Sequence, residues 1–355
     1  MPRHRRACGL RGFTGCPDQL QLVTRMVGIA VLGCGRIGRM HARNVARHST
    51  ARLVTVFDVD SEASGGVAAD LGVNPASSVQ EVLGNPEVHG VLIASPTDTH
   101  LELIAASVGA GKAVLCEKPI DLDIGRARAC WQEIAARNPR VMIGFNRRFD
   151  TSFRALKQRI GAGEIGKPEL VVITNRDPEP PAAEFLRHSG GMFHDFTIHD
   201  LDMARHLVGE IVEVHACGAN LIDPAIGEIG DIDTCAVTLR ARSGALVQIS
   251  NSRRCVYGYD QRIEVFGERG MLRAENLRQT AVESWSGRHT AAQDVLLRFF
   301  FDRYREAYIC ELDAFVSAVA TGTRMSPDFA DGMAALLLAH AAGCSMASGR
   351  TEKLP

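Results

Sequence analysis

The sequence predicts a two-domain α/β protein: a doubly wound parallel sheet first, then an α+β domain with a mostly antiparallel sheet. Two patterns predict it. Between Val27 and Gly144, short apolar runs alternate with helical stretches, the signature of parallel strands joined by right-handed crossovers. After Asn146 the apolar runs follow one another, several through short polar turns such as Arg242-Ser243-Gly244, which suits antiparallel pairing. A chain of 355 residues has room for both domains.

Val27 to Leu32 is a β-branched apolar run, as a buried parallel strand requires. Gly33-Cys34-Gly35-Arg36-Ile37-Gly38 follows at once, Ile37 to His48 reads as a helix, and Leu53 to Phe57 is a second strand ending at Asp58. Each glycine has a use in a dinucleotide-binding turn. Gly33 permits the tight exit from the strand, Gly35 lets a pyrophosphate approach the backbone, and Gly38 lets the helix pack closely. The helix N-terminus offers free N–H groups and a positive dipole end to phosphates. Asp58 lies 20 residues beyond Gly38, where a carboxylate accepts hydrogen bonds from the adenosine ribose hydroxyls. It would repel a 2′-phosphate, and the next residue is Val59 rather than an arginine, so NAD is expected over NADP. The alternative is an ordinary Gly-rich turn with Asp58 as a solvated strand end.

The alternation continues with a strand at Val88–Ala94, the segment Ser95-Pro96-Thr97, and a helix from about His100 to Ala110. A strand at Ala113–Cys116 runs into Glu117-Lys118-Pro119, a helix covers about Asp123–Arg137, and Val141–Gly144 is a further strand. Ligands of such sheets bind beyond the carboxyl ends of the strands, and Lys118 stands at one of those ends. By position alone Lys118 is either a solvated loop residue or a functional ammonium.

In the second half the expected strands are Glu169–Thr174, Val212–Gly218, Thr234–Ala241, Ala245–Asn251 and Gln261–Phe266. Between the first two, a helix is expected from about Phe193 to Leu207. Asp195 and His199 are four apart on it and share a face. An imidazole is suited to accept a hydroxyl proton near neutral pH, and a carboxylate one turn away can orient it. The alternatives are a purely structural pair on the helix surface, or a metal site using His194, Asp195, His199 and Asp200. The last is disfavoured because that spacing scatters the four around the helix, and no metal is expected. Arg147, at the sheet edge leading into the second domain, is placed to reach the cleft.

Composition narrows the function classes. Apolar residues make up 46% and charged residues 23%, with a formal net charge of −1. No concentrated basic face announces nucleic acid. The longest apolar stretch, Met333–Ala342, is too short to span a bilayer. The ten cysteines show no CxxC pair and no zinc spacing, which fits reduced thiols in the cytoplasm. Residues 1–25 carry five arginines against Asp18 and read as a disordered extension, or alternatively as a targeting segment. The domains are then expected at 26–145 and 146–355.

Several segments together resemble the Gfo/Idh/MocA oxidoreductases. They are Gly33–Gly38, Ser95-Pro96-Thr97 with His100, Cys116-Glu117-Lys118-Pro119, Gly144-Phe145-Asn146-Arg147-Arg148-Phe149-Asp150 and the Asp195–His199 helix. The resemblance runs from about Met26 to the end. Within the family, Thr174-Asn175-Arg176-Asp177-Pro178, Thr197–Arg205 and Asn251–Asp260 are most similar to its inositol-oxidising bacterial members. The resemblance implies a Rossmann domain, then a domain whose large open sheet mediates oligomers, often tetramers. It implies NAD-dependent oxidation of a cyclic polyol, myo-inositol to scyllo-inosose. Lys118, Asp195 and His199 match the family's catalytic positions. Arg147, Asn175, Asp177 and Tyr257 match substrate contacts. Arg36, Ile37, Ser95, Pro96, Thr97, His100, Glu117 and Lys118 join Gly33, Gly35, Gly38 and Asp58 as expected cofactor contacts. The implied partners are a small polyol and further copies of the chain, with no nucleic acid and no membrane. Other outcomes stay open: oxidation of another inositol isomer or an aldose, an NAD-dependent glycosidase, or a non-catalytic NAD-sensing regulator. Retention of Lys118, Asp195 and His199 together argues against the last.

Overall fold

The computed structural model describes residues 26–355; the expected extension at 1–25 lies outside the described residues. The first sheet is built from β1 (Val27–Leu32), β2 (Ala51–Phe57), β3 (Asn74–Pro75), β4 (Gly90–Ile93), β5 (Ala113–Glu117) and β6 (Val141–Gly144). All pairs are parallel, in the order β3-β2-β1-β4-β5-β6. The helices α1 (Arg36–Arg47), α2 (Ser61–Leu71), α3 (Val79–Gly84), α4 (His100–Gly109) and α5 (Ile124–Ile134) join the strands. Every residue of β1 and β4 is buried, which is why these strands read as unbroken apolar runs. The strand order reverses between β1 and β4, opening a crevice at their carboxyl ends.

The second lobe begins with α6 (Thr151–Gly161) and β7 (Pro168–Arg176), followed by α7 (Ala183–His188), α8 (Ile198–Val208), β8 (Ile211–Ala219) and α9 (Pro224–Glu228). Then come β9 (Thr234–Ala241), β10 (Leu246–Ser252), β11 (Asp260–Gly267), β12 (Gly270–Ala274) and a small hairpin of β13 (Glu283–Ser284) and β14 (Ala292–Gln293). The chain closes with α10 (Phe300–Thr321), α11 (Phe329–Ser348) and β15 (Glu352–Lys353). The large sheet runs β12-β11-β7-β10-β9-β8-β15. It is antiparallel except for β7 against β10. Burial alternates along β9 and β10, so one face packs on helices and the other is open.

The sequence reading passes over α10 and α11, and both matter. Ala307 and Tyr308 of α10 join the second lobe's core, while Leu312, Phe315 and Val316 of the same helix join a core cluster of the first. In α11, Phe329, Ala335 and Leu336 pack with the first sheet's residues, and Leu338, Ala339 and Ala342 with the second's. The span 146–355 therefore contributes to both cores. Helix α11 is 20 residues long, enough by length and composition to cross a bilayer, although its apolar run alone looks too short. Its buried apolar side chains belong to those two clusters.

Candidate active site

The crevice opens into a cavity of about 880 Å³ between the lobes. Its first wall is the nucleotide turn. Gly33 has φ +95°, and a Cβ there would lie 2.5 Å from the Ala94 carbonyl carbon. A Cβ on Gly38 would lie 1.8 Å from the Gly33 oxygen. Both glycines are buried and shape the turn rather than line the cavity. A Cβ on Gly35 would meet nothing within 4 Å, so the backbone is open there, at the amino end of α1. That is the bare approach a pyrophosphate needs. Asp58 Oδ2 accepts from the Cys34 N–H at 2.6 Å and Oδ1 from the Asp60 N–H at 2.9 Å, which fixes the carboxylate at the end of β2. Arg36, Ile37, Ser95, Pro96 and Thr97 line the same wall, followed by His100, Glu117 and Lys118. The residues present fit a dinucleotide.

His100 lines the cavity with both ring nitrogens against backbone carbonyls. Its Nδ1 lies 2.7 Å from the Pro119 carbonyl and its Nε2 3.0 Å from the Ser95 carbonyl. A neutral imidazole donates from one nitrogen only, so one of these carbonyls accepts its N–H and the ring braces the wall. Burial lowers its pKa. Behind Glu117 lies a polar group of three. Glu117 Oε1 is 2.7 Å from His41 Nε2, and Glu311 of α10 is fully buried with neither oxygen partnered among the described residues. Among the described residues, these three are the grouping of imidazole and carboxylates close enough to chelate an ion. Burial, then the Glu117 charge, pushes the Glu311 carboxyl well above its usual range, which favours a neutral acid over a ligand.

The three expected catalytic groups meet on this cavity: Lys118 from the end of β5, Asp195 and His199 from the second lobe. Their wiring differs from expectation. The segment Met192–Thr197 is a widened π-helical turn, and α8 starts only at Ile198. Such turns re-aim side chains and recur at functional sites. Lys118 Nζ donates to the Asp195 backbone oxygen at 2.7 Å and to its Oδ1 at 3.2 Å. Arg253 Nη1 and Nη2 each lie 3.5 Å from Asp195 Oδ2. The carboxylate thus faces two cations rather than His199, whose Nδ1 has no hydrogen-bond partner among the described residues. Burial, then the charges of Lys118 and Arg147, lowers the His199 pKa well below 6.5.

Of the expected substrate contacts, Arg147 and Asp177 line the cavity; Asn175 and Tyr257 do not. Asn175 is fully buried and serves a network below Arg147. Arg147 Nη1 donates to Asp200 Oδ1 at 2.6 Å, while Asp200 Oδ2 accepts from Asn175 at 2.7 Å and Asn251 at 2.9 Å. Gln261 donates to Asn175 and accepts from the Tyr304 hydroxyl at 2.9 Å. Tyr257 is half exposed; its hydroxyl accepts from Arg176 at 2.8 Å and donates to Asp260 at 2.8 Å. Its ion-pair partners hold it at the sheet end. Burial pushes the Asp177 carboxyl up to about 7, against the pull of Arg253 and Arg147. The sequence reading names neither Arg253, Tyr259 nor the α10 residues Phe300, Tyr304 and Tyr308 as site residues, and all five line the cavity. The i,i+4 spacing of Tyr304 and Tyr308 was the available signal for the helix, though not for what it faces.

Comparison with known proteins decides the family. Residues 27–145 match the oxidoreductase family model with an NAD-binding Rossmann fold, and residues 153–273 match the GFO/IDH/MocA C-terminal domain. The chain belongs to the GFO/IDH/MocA family. This family member is 45% identical over 325 residues to an inositol 2-dehydrogenase of Rhizobium meliloti (strain 1021), covering 91% of this chain and 98% of that one. A myo-inositol dehydrogenase structure from Corynebacterium glutamicum ATCC 13032 superimposes with TM-score 0.90 at 45% identity, covering 93% and 99% of the two chains. The scyllo-inositol dehydrogenase of Lactobacillus casei, solved with NAD(H) and scyllo-inositol, gives TM-score 0.86 at 29% identity, covering 93% and 99%. The GFO/IDH/MocA chain described here is an NAD-dependent dehydrogenase.

Proposed function

We propose that the enzyme oxidises an inositol, with myo-inositol converted to scyllo-inosose as its principal reaction. The observation that carries this is the convergence of Lys118 from one lobe and Asp195, His199, Arg147 and Asp177 from the other on a cavity whose far wall is the nucleotide turn. Bound NAD supplies the hydride acceptor. Two N–H groups of Lys118 are committed to Asp195, which leaves a third to hold the reacting oxygen and stabilise the negative charge that develops there. His199, kept neutral by burial and by two nearby cations, accepts the hydroxyl proton. Its low proton affinity favours prompt release of that proton afterwards. Arg147 and Asp177 supply a donor and an acceptor to the ring hydroxyls of a neutral polyol.

Assembly belongs to the same reading. Leu246, Leu170, Phe266 and Met271 are register partners across β10, β7, β11 and β12, and all four are exposed. A continuous apolar row on an open sheet favours pairing with another copy, and we propose a tetramer built through this face. The cysteines among the described residues are free thiols, in keeping with a cytoplasmic location.

Formation of NADH, followed at the reduced-nicotinamide absorbance band with a panel of inositols and aldoses, tests the substrate. The highest kcat/KM is expected for myo-inositol. Faster turnover of an aldose would overturn the assignment, and faster turnover of scyllo-inositol would move it to the other isomer.

A further inference from the structure

We propose that Arg253 is a positioning residue for the dehydrogenation: from the second lobe it holds the Asp195 carboxylate toward Lys118 and away from His199. The inference rests on reading the interlobe cavity as a dehydrogenase active site.

Arg253 is fully buried, among the largest side chains in the molecule to be so. A guanidinium removed from water needs compensating partners. Two of its nitrogens converge on one oxygen, Asp195 Oδ2, each at 3.5 Å. Its Cζ lies 5.5 Å from the centre of the Phe196 ring, and its Nε has no partner among the described residues. The backbone beneath it is fixed, because the Arg253 N–H donates to the Asp233 carbonyl at 2.8 Å just past the end of β10. The cation is therefore presented from the end of a central strand.

Lys118 holds the other oxygen of the same carboxylate, and the backbone oxygen of Asp195 as well. Asp195 is thus clamped between a cation from each lobe. The other charged and titratable groups packed around this clamp are Asp177, Arg147, His199, Tyr259, and Cys235 with Asp231. Asp195 sits on the widened turn one helical step before His199, whose Nδ1 is unpartnered. Without Arg253 the carboxylate loses the charge that fixes Oδ2, and the unpartnered imidazole one turn along the chain is a donor it can turn to. A carboxylate paired with His199 would favour the imidazolium, the wrong state for a proton acceptor. Arg253 also heads the cations that restrain proton uptake by Asp177. Its loss therefore moves both groups in one direction, toward binding protons at higher pH.

Arg253→Gln and Arg253→Lys in the full-length chain test this. With NAD and the polyol the wild type oxidises, Arg253→Gln is expected to lower kcat by about 100-fold or more, as for a lost electrostatic contact at an active site. NAD affinity is expected to stay within about twofold, and that split would exclude a uniform-binding role. The acid limb of kcat/KM is expected to move up by about one pH unit, reporting free-enzyme groups. Arg253→Lys is expected to restore most of that limb. A rate loss with the limb unmoved, an equal loss of NAD affinity, or a wild-type rate would each overturn the proposal. If no polyol is turned over by the wild type, the functional reading fails separately, and NMR titration of His199 still decides the inference. The His199 pKa is expected to rise in Arg253→Gln, and an unchanged value refutes the clamp. Should Arg253→Gln not fold, a crystal structure of the wild type with NAD decides; Asp195 bonded to His199 rather than to Arg253 would refute it.

Discussion

On the nucleotide side of the cavity the chain offers its ligand mostly backbone: a bare Gly35, the start of α1 and the Ser95-Pro96-Thr97 turn. On the opposite side it offers charge buried in compensated sets: Arg147 with Asp200, Arg253 with Asp195, and Arg148 clasping Asp202 behind them. The first wall depends on the absence of side chains, so adding atoms at Gly33 or Gly38 harms it. The second depends on pairs, so removing one partner harms it, because the other is left charged and dry.

The largest effect is expected from Asp200→Ala. It strands the Arg147 guanidinium and two asparagine amides. Burial pushes the Asp200 carboxyl up while Arg147 and the amides pull it down, so the balance depends on all of them. A loss of roughly 3–5 kcal/mol in unfolding free energy is expected, as for other broken buried pairs, and chemical denaturation measures it. A loss below about 1 kcal/mol, the range of exposed pairs, would erase the distinction between the walls.

Asp58→Ala should act on binding instead. Loss of charge-assisted contacts worth about 1.5–3 kcal/mol corresponds to roughly 10- to 100-fold in NAD affinity. NADP affinity is expected to fall much less, since its 2′-phosphate gains from losing the carboxylate. Equal losses in a fluorescence titration with the two cofactors would mean that Asp58 does not set the choice between them.

Glu311→Gln is a smaller and opposite case, a buried acid with no countercharge. Its carboxyl is raised above the ordinary 4.5, so the folded state binds the proton more tightly than the unfolded one. The wild type therefore loses stability as pH climbs from about 4.5 toward the folded value, and levels off beyond it. The glutamine variant, which does not titrate, should match the wild type near pH 4 and exceed it at pH 8. Each tenfold of extra proton affinity is worth about 1.4 kcal/mol. Thermal melts at a series of pH values check this; curves that stay parallel would show that Glu311 is ionised in the native state.

The same contrast explains what could be read from the chain. The nucleotide wall is local: strand, Gly33, Gly35, Gly38, helix and Asp58 all fall within 32 residues, and each has a fixed geometric duty. Lys118, Asp195 and His199 could be named from their motifs, and they do share the cavity. Their wiring could not be read, because helical spacing assumes an α-helix and the turn at Met192–Thr197 is wider. Asn175 was misplaced for a related reason. Alternation along a strand says which face a residue takes but not whether an aspartate waits there, and Asp200 is 25 residues away. Arg253 and Tyr304 reach the cavity through tertiary packing, for which no short-range pattern exists. The parallel pairing of β7 with β10 is hidden likewise, since it joins strands far apart in sequence.

Helix α10 is one rod with two anchorages. Phe300, Tyr304 and Tyr308 face the cavity, whereas Leu312, Phe315 and Val316 sit in the core beneath the first sheet. Its backbone leaves helical geometry at one described residue, Tyr304, with φ −113° and ψ 16°. The helix thus ties the aromatic lining of the cavity to the core beneath the first sheet. A substitution that shifts Leu312 in that core is therefore felt at the cavity wall, because Tyr308 and Tyr304 stand four and eight residues back along the same helix.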